Sequence, residues 1–310
     1  MALHLHIDPF SGIAGDMFLG AMVDLGADLD AIRAALAKLP VKKAYAIRSR
    51  RVQKLGIGAV DLTVEIEGDA ESQRDTAELN HDHGHDHSDE HSHAHSHTHP
   101  HGHSHDHPHP HEHHASDTGH HHTGYREIMA MVKMLDTTAR GKARAGEVVT
   151  RLAQAESRVH GVPMEAIHFH EVGAVDSIVD MLGSVIALEL LGIETLSCGP
   201  LPLSRGMVRC AHGVMPVPAP ATAYLMQGLP TVGVDRVGEL ITPTGAALVA
   251  GLCDDFGPPP PMRLGEVGYG AGDRDDPNVP NLLRVMLGQT LAVGSLGPTS
   301  VSTTDCVAGH

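Results

Sequence analysis

The feature that most restricts how this chain can fold is a long segment, Asp69 to Gly124, with almost no apolar side chains. Such a segment cannot bury enough apolar surface to offset the conformational entropy that folding removes, so we expect it to be disordered. Sequence with regular apolar periodicity stands directly before and after it. The segment is therefore expected to interrupt a domain rather than to end one.

The part before this segment, residues 1–68, has the pattern of a small α/β unit. Leu3 to Ile7 alternates between apolar and polar residues as a strand does, and two helical patterns follow it. Tyr45 to Arg51 and Ala59 to Glu67 are predicted strands that a glycine-containing turn joins. We take residues 1–68 as the first α/β segment of the core.

The rest of the core is expected at residues 125–288, where amphipathic helices precede two strands that flank a glycine loop, Gly268 to Gly272. Residues 289–310 are rich in Ser, Thr and Gly without a clear period, which predicts a disordered tail. The predicted fold class is therefore α/β, a compact mixed domain with a long disordered His-rich insertion at 69–124.

Composition narrows the classes of partner. The apolar fraction is 41%, but Trp is absent and aromatic residues make up only 3%, so the core must be built from aliphatic side chains and Met. The formal charge of −16 disfavours nucleic acid and anionic membranes and favours cations. The four cysteines are scattered, and we find neither a signal peptide nor an apolar run long enough to span a membrane. We expect a cytoplasmic protein.

The insertion contains 20 histidines between His81 and His122, and they occupy every second position from His91 to His113. Neutral imidazole binds nickel, copper, zinc and cobalt, and a flexible tract gathers several rings around an ion without imposing one geometry. We therefore predict several metal ions per chain and modest specificity. The ligands we assign in the tract are His91, His93, His95, His97, His99, His101, His103 and His105.

A second histidine group has a more regular setting. If the segment is extended, His168 and His170 point to one face about 7 Å apart, and Glu171 follows them directly. Asp176 and Asp180 stand four residues apart on one face of a predicted helix. These side chains could form a defined metal or acid–base site, or they could only begin and cap the helix.

The turn from Asp8 to Asp16 joins the first strand to the first helix. Gly12 and Gly15 would let backbone N–H groups approach a phosphate, although the spacing matches neither familiar glycine-rich phosphate motif. We assign Asp8, Gly12, Gly15 and Asp16 to binding of a cofactor or its precursor. The two aspartates could instead be metal ligands or ordinary turn and cap residues.

Cys210 and His212 place a thiol and an imidazole two residues apart, next to Arg209. This combination could hold a soft metal or a sulfur-containing ligand, and we assign both residues to cofactor binding. The alternative is a small buried residue beside a loop histidine.

Taken together, five ordered segments and the histidine tract resemble the LarC family, the nickel-insertion proteins of the nickel-pincer cofactor pathway. The similarity runs from the N-terminus to about Leu287. The ordered segments are Asp8–Met17, His168–Asp180, Arg209–Gly213, Thr242–Gly245 and Gly268–Gly272.

The resemblance implies an enzyme, a nickel insertase of the lyase class that performs a CTP-dependent cyclometallation. Its substrate would be pyridinium-3,5-bisthiocarboxylic acid mononucleotide, and the product would serve lactate racemase or a related apo-enzyme. Nickel and CTP with manganese or magnesium are the implied cofactors, and a homo-oligomer is compatible. A proton must leave the pyridinium carbon, and His168, His170 and Glu171 are the predicted catalytic residues, with His168, His170, Asp176 and Asp180 as further metal ligands.

The chain departs from the family pattern after Leu287. Full-length members continue into a domain that carries the CTP site, and we expect that domain to be missing from this chain. A non-catalytic protein that stores or delivers nickel is therefore the alternative function.

Overall fold

The computed structural model describes residues 2–41, 43–67, 123–169, 175–210 and 212–291. The histidine tract and nearly all of the predicted insertion and tail lie outside these ranges, so their predicted disorder stays a prediction.

The main layer of the fold is a seven-stranded mixed sheet. Its strands lie in the order β2-β3-β10-β11-β1-β4-β9. β2 and β11 run antiparallel to their neighbours, and the remaining five strands are parallel to one another. The bounds are β1 Leu3–Asp8, β2 Tyr45–Lys54, β3 Ile57–Ile66, β4 Thr195–Cys198, β9 Asp255–Phe256, β10 Met262–Ala271 and β11 Leu282–Thr290.

Four further strands form two small sheets. β5 and β8 are parallel, and β6 and β7 form an antiparallel hairpin in which Cys210 pairs with Gly213. Sequence analysis did not predict these strands, because they are short and carry several exposed residues instead of a clean alternation. Their bounds are β5 Leu201–Arg205, β6 Met207–Cys210, β7 Gly213–Pro216 and β8 Thr231–Val237.

Within the described ranges, seven α-helices pack with the sheets. The side chain of Thr138 accepts the N–H of Gly141, which starts the longest helix a turn earlier than the apolar pattern alone indicates. Gly161 follows the last residue of this helix and has the left-handed conformation that glycine favours. The bounds are α1 Gly15–Asp24, α2 Leu29–Leu36, α3 Tyr125–Met134, α4 Ala139–His160, α5 Val175–Leu190, α6 Pro220–Leu225 and α7 Pro243–Leu252.

The predicted α/β class is confirmed. β2 and β3, which precede the histidine tract, are in the same sheet as β10 and β11, which follow it, and β3 is hydrogen-bonded to β10. The core is aliphatic, as the composition requires, with Leu5 and Ile7 of β1 fully buried and most of α5 inaccessible to solvent. No helix within the described ranges has the length and hydropathy that crossing a bilayer requires.

The predicted glycine loop at 268–272 is wrong for most of its length, because residues 268–271 belong to β10. The glycines allow α1 to lie directly on the strand. A Cβ added to Gly270 would stand 1.8 Å from the carbonyl oxygen of Met17, and one added to Gly268 would stand 2.6 Å from that of Ala21. The predicted start of the tail is also wrong by two residues, since β11 continues to Thr290.

Candidate functional site

The loop after β1 lies where parallel strands end, the edge at which α/β sheets most often bind ligands. The loop is fixed to the segment before α7. Ile13 N–H donates to the carbonyl of Leu240 at 2.9 Å, and Thr242 N–H donates to that of Ile13 at 3.1 Å. Gly12, with a φ of +107°, faces the same Leu240 carbonyl, and a Cβ there would lie 2.0 Å from its oxygen. This arrangement places the first turns of α1 and α7 next to each other.

Asp180 of α5 contacts the start of α1. The backbone N–H of Asp16 favours the ionised form of the Asp180 carboxyl group, and a Cβ added to Gly15 would lie 2.7 Å from Asp180 Oδ2. A helix start offers its free N–H groups to an anion, and here a carboxyl group of the protein itself lies at that position. Both glycines admit neighbouring protein atoms, and the predicted binding of a phosphate by Gly12 and Gly15 stays a prediction.

The two carboxyl groups are held in an environment that opposes their ionisation. Desolvation, followed by repulsion from Asp273 and Asp61, raises the pKa of Asp16 to about 7. Desolvation, followed by repulsion from Asp16 and Asp176, raises the pKa of Asp180 well above its ordinary value. Asp16 retains partial contact with solvent, whereas Asp180 is buried. Asp16 is thus an accessible carboxyl group that can bind or release a proton near neutral pH.

Hydrogen bonding within the described ranges leaves two carboxyl oxygens of this cluster without a partner. Asp61, on β3, accepts a hydrogen bond from Arg50 on one oxygen at 2.7 Å. Its other oxygen and Asp180 Oδ1 are buried and have no hydrogen-bond partner among the described residues. For Asp180, an unpaired buried oxygen adds to the cost of ionisation. Sequence analysis missed Asp61 and Asp273, because only the pairing of β3 with β10 brings them near Asp16.

Two arginines lie on either side of the loop after β1. Arg284 of β11 donates from Nε to Asp8 Oδ2 at 2.8 Å. Arg236 of β8 donates to Ser11 Oγ at 2.8 Å and lies 3.4 Å from Asp276. The predicted ligand-binding residue Asp8 is therefore an ion-pair partner in this structure. These cations were not found in the sequence, since nothing in the spacing of Arg236 and Arg284 relates them to the loop.

The predicted group around His168 is only partly described. His168 is exposed beside Gly124, and Asp176 is exposed in the first turn of α5, whereas His170 and Glu171 lie outside the described residues. The tract ligands His91 to His105 also lie outside them. Among the described residues, no group of three or more His, Cys, Asp or Glu side chains is placed to hold a metal ion.

Cys210 and His212 lie on the β6–β7 hairpin, outside the seven-stranded sheet. The ring of His212 contacts that of His160, the last residue of α4, with 4.9 Å between the ring centroids. Glu156, one turn earlier on α4, lies 3.4 Å from Nε2 of His160. The four-residue spacing of Glu156 and His160 could have indicated their pairing, but nothing in the sequence joins them to His212.

A cavity of about 670 Å³, within the range of small-molecule sites, opens on the C-terminal half of α4. Its wall includes Arg158, whose guanidinium lies 4.2 Å from the ring centroid of Tyr224 and donates to Gln227 at 2.7 Å. Cys253, at the C-terminal end of α7, also lines it. α7 is ten residues long. About 15 Å of helix therefore lies between the cavity at its C-terminal end and its first turn beside the loop after β1.

These features define an α/β protein with a proton-binding carboxyl cluster at the C-terminal edge of its sheet and a long histidine tract. The sequence profile of the nickel insertion protein family matches residues 5–306, and the chain belongs to that family. A nickel insertion protein of Citrifermentans bemidjiense is 41% identical over 285 residues, 92% of this chain and 61% of the relative. The pyridinium-3,5-bisthiocarboxylic acid mononucleotide nickel insertion protein of Geobacillus kaustophilus is 39% identical over 295 residues, 95% of this chain and 62% of the relative.

The chain therefore spans about 61% of the length of these relatives. No solved structure gave a significant match.

Proposed function

We propose that this chain inserts nickel into pyridinium-3,5-bisthiocarboxylic acid mononucleotide and that Asp16 accepts the proton released in the reaction. The observation that carries the proposal is the Asp16–Asp180 pair, which lies at the sheet edge and includes one accessible carboxyl group with a pKa of about 7. The name of the Geobacillus kaustophilus relative supports the choice of substrate.

The reaction requires a group that takes up one proton. Two Ni–S bonds form to the thiocarboxylates, and the C–H bond of the pyridinium ring breaks. Its electron pair forms the Ni–C bond, and its proton passes to the Asp16 carboxylate. A base with a pKa near the working pH is the most effective acceptor, because it is ionised before the step and still basic enough to hold the proton. The square-planar preference of nickel helps to drive its transfer from nitrogen ligands to the pincer.

His168, His170 and Glu171, the bases predicted from the sequence, are the rivals of Asp16. Asp16 is preferred because its surroundings raise its pKa toward neutrality, whereas His168 is exposed on the surface. The two assignments differ in how the rate responds to substitution, so activity measurements separate them.

The substrate phosphate needs a cationic partner, and the start of α1 is already occupied by Asp180. Arg284 and Arg236 lie beside the loop after β1 and make ion pairs that a phosphate could replace. We assign them to phosphate binding. An arginine suits this role because its planar donors match phosphate oxygens.

CTP dependence, a manganese or magnesium requirement and delivery to lactate racemase or a related apo-enzyme belong to the same proposal, as does the cytoplasmic location. The described residues offer no group of three metal ligands that fits the divalent ion, so none of them is assigned to CTP or to that ion. The relatives extend well beyond the matched region, and we propose that CTP binds to that further part.

The test is single-turnover cofactor formation with purified chain, precursor, nickel, CTP and manganese, with and without the C-terminal part of a relative added separately. We expect Asp16→Asn to lower the rate about 100-fold or more, the usual effect of losing a general base. The parent rate should rise with pH through about 7 as Asp16 ionises, and this rise should be lost in Asp16→Asn.

His168→Asn is the comparison variant, and it should keep the parent pH profile. If His168→Asn abolishes the reaction while Asp16→Asn leaves it intact, the assignment of the base to Asp16 is wrong. If no combination of proteins and cofactors yields product, the insertase function itself is refuted.

Nickel storage or delivery without catalysis is the second candidate function. It is favoured by the tract of 20 histidines, which can gather several ions without imposing one geometry. A chain that binds nickel reversibly, releases it to a supplied acceptor protein and forms no Ni–C bond would establish this alternative.

A further inference from the structure

The contact between His160 and His212 joins two elements that are far apart in the sequence. His160 ends α4, and His212 lies in the turn of the β6–β7 hairpin. Their ring centroids are 4.9 Å apart and the rings are inclined by 50°. The side chain of His160 is 23% exposed, and His212 is exposed, so an ion can reach both rings from solvent.

The separation of the rings fits one shared metal ion. An imidazole nitrogen binds a transition metal at about 2.1 Å, which puts the ring centroid about 3.2 Å from the ion. Two centroids 4.9 Å apart then form an angle of about 100° at the ion. This value lies between the right angle of a square-planar complex and the tetrahedral angle.

Glu156 occupies the position of a supporting residue. Its carboxylate lies 3.4 Å from Nε2 of His160, and its side chain is only 12% exposed. Histidines that bind metals commonly donate the N–H of the other ring nitrogen to a carboxylate, which fixes the tautomer and makes the ligand more basic. In this arrangement Nδ1 of His160 is the nitrogen that faces the ion.

We propose that His160 and His212 form a two-imidazole nickel site with Glu156 as the positioning residue of His160. Neither histidine belongs to the histidine tract in the sequence or to the carboxyl cluster around Asp16. Cys210 immediately precedes the turn that carries His212, so the chain places a soft donor two residues from this ligand. Only two imidazoles hold the ion, so the other positions of a four-coordinate complex are open to sulfur ligands.

A nickel ion with open coordination positions suits a site that passes the ion on to another ligand. An ion held by two neutral nitrogens is bound weakly enough to leave, and it can gain sulfur ligands before it loses the imidazoles. The role of this site in transfer rests on the proposed insertion function. Nickel binding by His160 and His212 does not, and it is measured with nickel alone.

The experiment uses the chain with residues 81–122 replaced by a Gly/Ser segment of equal length, so that the tract no longer dominates binding. Equilibrium dialysis against Ni²⁺ should give one ion per chain. His160→Gln and His212→Asn should each raise the dissociation constant at least 10-fold. Glu156→Gln should raise it about 10- to 100-fold, the usual effect of losing a supporting partner, with Glu156→Asp closer to the parent.

Glu147→Gln is the matched control, because it changes another glutamate of α4, one that pairs with Arg151 at the surface. It should leave the affinity unchanged. The His160→Gln and His212→Asn variants should unfold thermally like the parent, since both rings are in contact with solvent. In the unaltered chain, bound nickel should slow alkylation of Cys210, read from its own peptide, and His212→Asn should abolish this protection.

The proposal is overturned if the His160→Gln and His212→Asn variants unfold like the parent and still bind one ion with parent affinity. It is equally overturned if Glu147→Gln alone removes the ion. If nickel binds as expected while the insertion assay yields no product, this site stands and the proposed function fails.

Discussion

The buried carboxyl group of Asp180, on α5, lies against the start of α1, where the backbone N–H of Asp16 favours its ionised form. The contact requires glycine at position 15, because any Cβ there would meet Asp180. It also brings two carboxyl groups together in a site where neither ionises easily. The same contact therefore explains why residue 15 is a glycine. It also fills the start of α1 with a carboxyl group and helps to make Asp16 a proton acceptor.

Asp16→Asn should stabilise the protein in a pH-dependent way. Asp16 has a pKa of about 7 in the folded chain against an ordinary value of 3.8. The folded state therefore binds more protons than the unfolded state between these values, and stability falls as the pH rises across that window. Asn cannot ionise, so the gain in the free energy of unfolding from Asp16→Asn should be absent near pH 4, grow toward pH 7 and stay constant above about 8. Urea unfolding at several pH values measures it.

Asp235→Asn provides the control for this series. Asp235 forms a solvent-exposed pair with Arg205, and such pairs contribute little to stability. Its effect on the free energy of unfolding should be small at each pH. An Asp16→Asn advantage of the same size at pH 4 and pH 8 would contradict the raised pKa of Asp16.

Gly270→Ala should disrupt the packing of α1 on β10. The new methyl group would stand 1.8 Å from the carbonyl oxygen of Met17, a backbone atom that cannot move without the helix. Overpacking of this kind costs about 1–3 kcal/mol or more. Gly58→Ala, in the same sheet but with nothing within 4 Å, should change the free energy of unfolding by less than about 0.5 kcal/mol. Equal losses in the two variants would argue against this packing.

Arg144→Ala should be strongly destabilising. Arg144 donates to Glu189 at 3.0 Å and to the carbonyls of Ile193 and Glu194 at 2.9 and 2.7 Å. Glu189 is only 6% exposed, and removing one partner of a buried pair costs about 3–5 kcal/mol. We expect about 2–3 kcal/mol, since Arg140 continues to pair with Glu189.

The comparison for Arg144 lies on the same helix. Arg151 pairs with Glu147 at 2.7 Å, and both side chains are about half exposed. Arg151→Ala should therefore cost less than about 0.5 kcal/mol. Chemical denaturation measures both losses, and similar values would show that the Arg144 contacts are weaker than their burial indicates.

Replacing residues 81–122 by a Gly/Ser segment should sharply lower the number of nickel ions bound per chain, because 20 histidines are removed. The thermal unfolding of the core should change little, since the strands on both sides of the tract are paired within one sheet. Unchanged nickel stoichiometry in equilibrium dialysis would refute metal binding by the tract.

Elements with a clear local periodicity could be predicted from the sequence, and elements without one could not. The helix that carries Asp176 and Asp180 was predicted because its apolar pattern is long, and β2 and β3 were predicted because a short turn joins two alternating runs. The short strands β5 to β8 carry no comparable pattern. Glycines 268 and 270 suggested a loop, since their actual reason, the approach of α1, lies in a distant segment.

For the site, the sequence by itself determined which chemical groups are available: imidazoles in a tract that lacks apolar residues, a glycine-containing turn after the first strand, and Asp176 and Asp180 on one helix. It also carried the family resemblance. Only the tertiary structure decided which groups meet. Asp16, Asp61 and Asp180 belong to three separate elements, and His160 meets His212 across 52 positions of the chain. The raised pKa values of Asp16 and Asp180, and the geometry of both clusters, arise from burial and close approach, which are properties of the folded chain and not of local sequence.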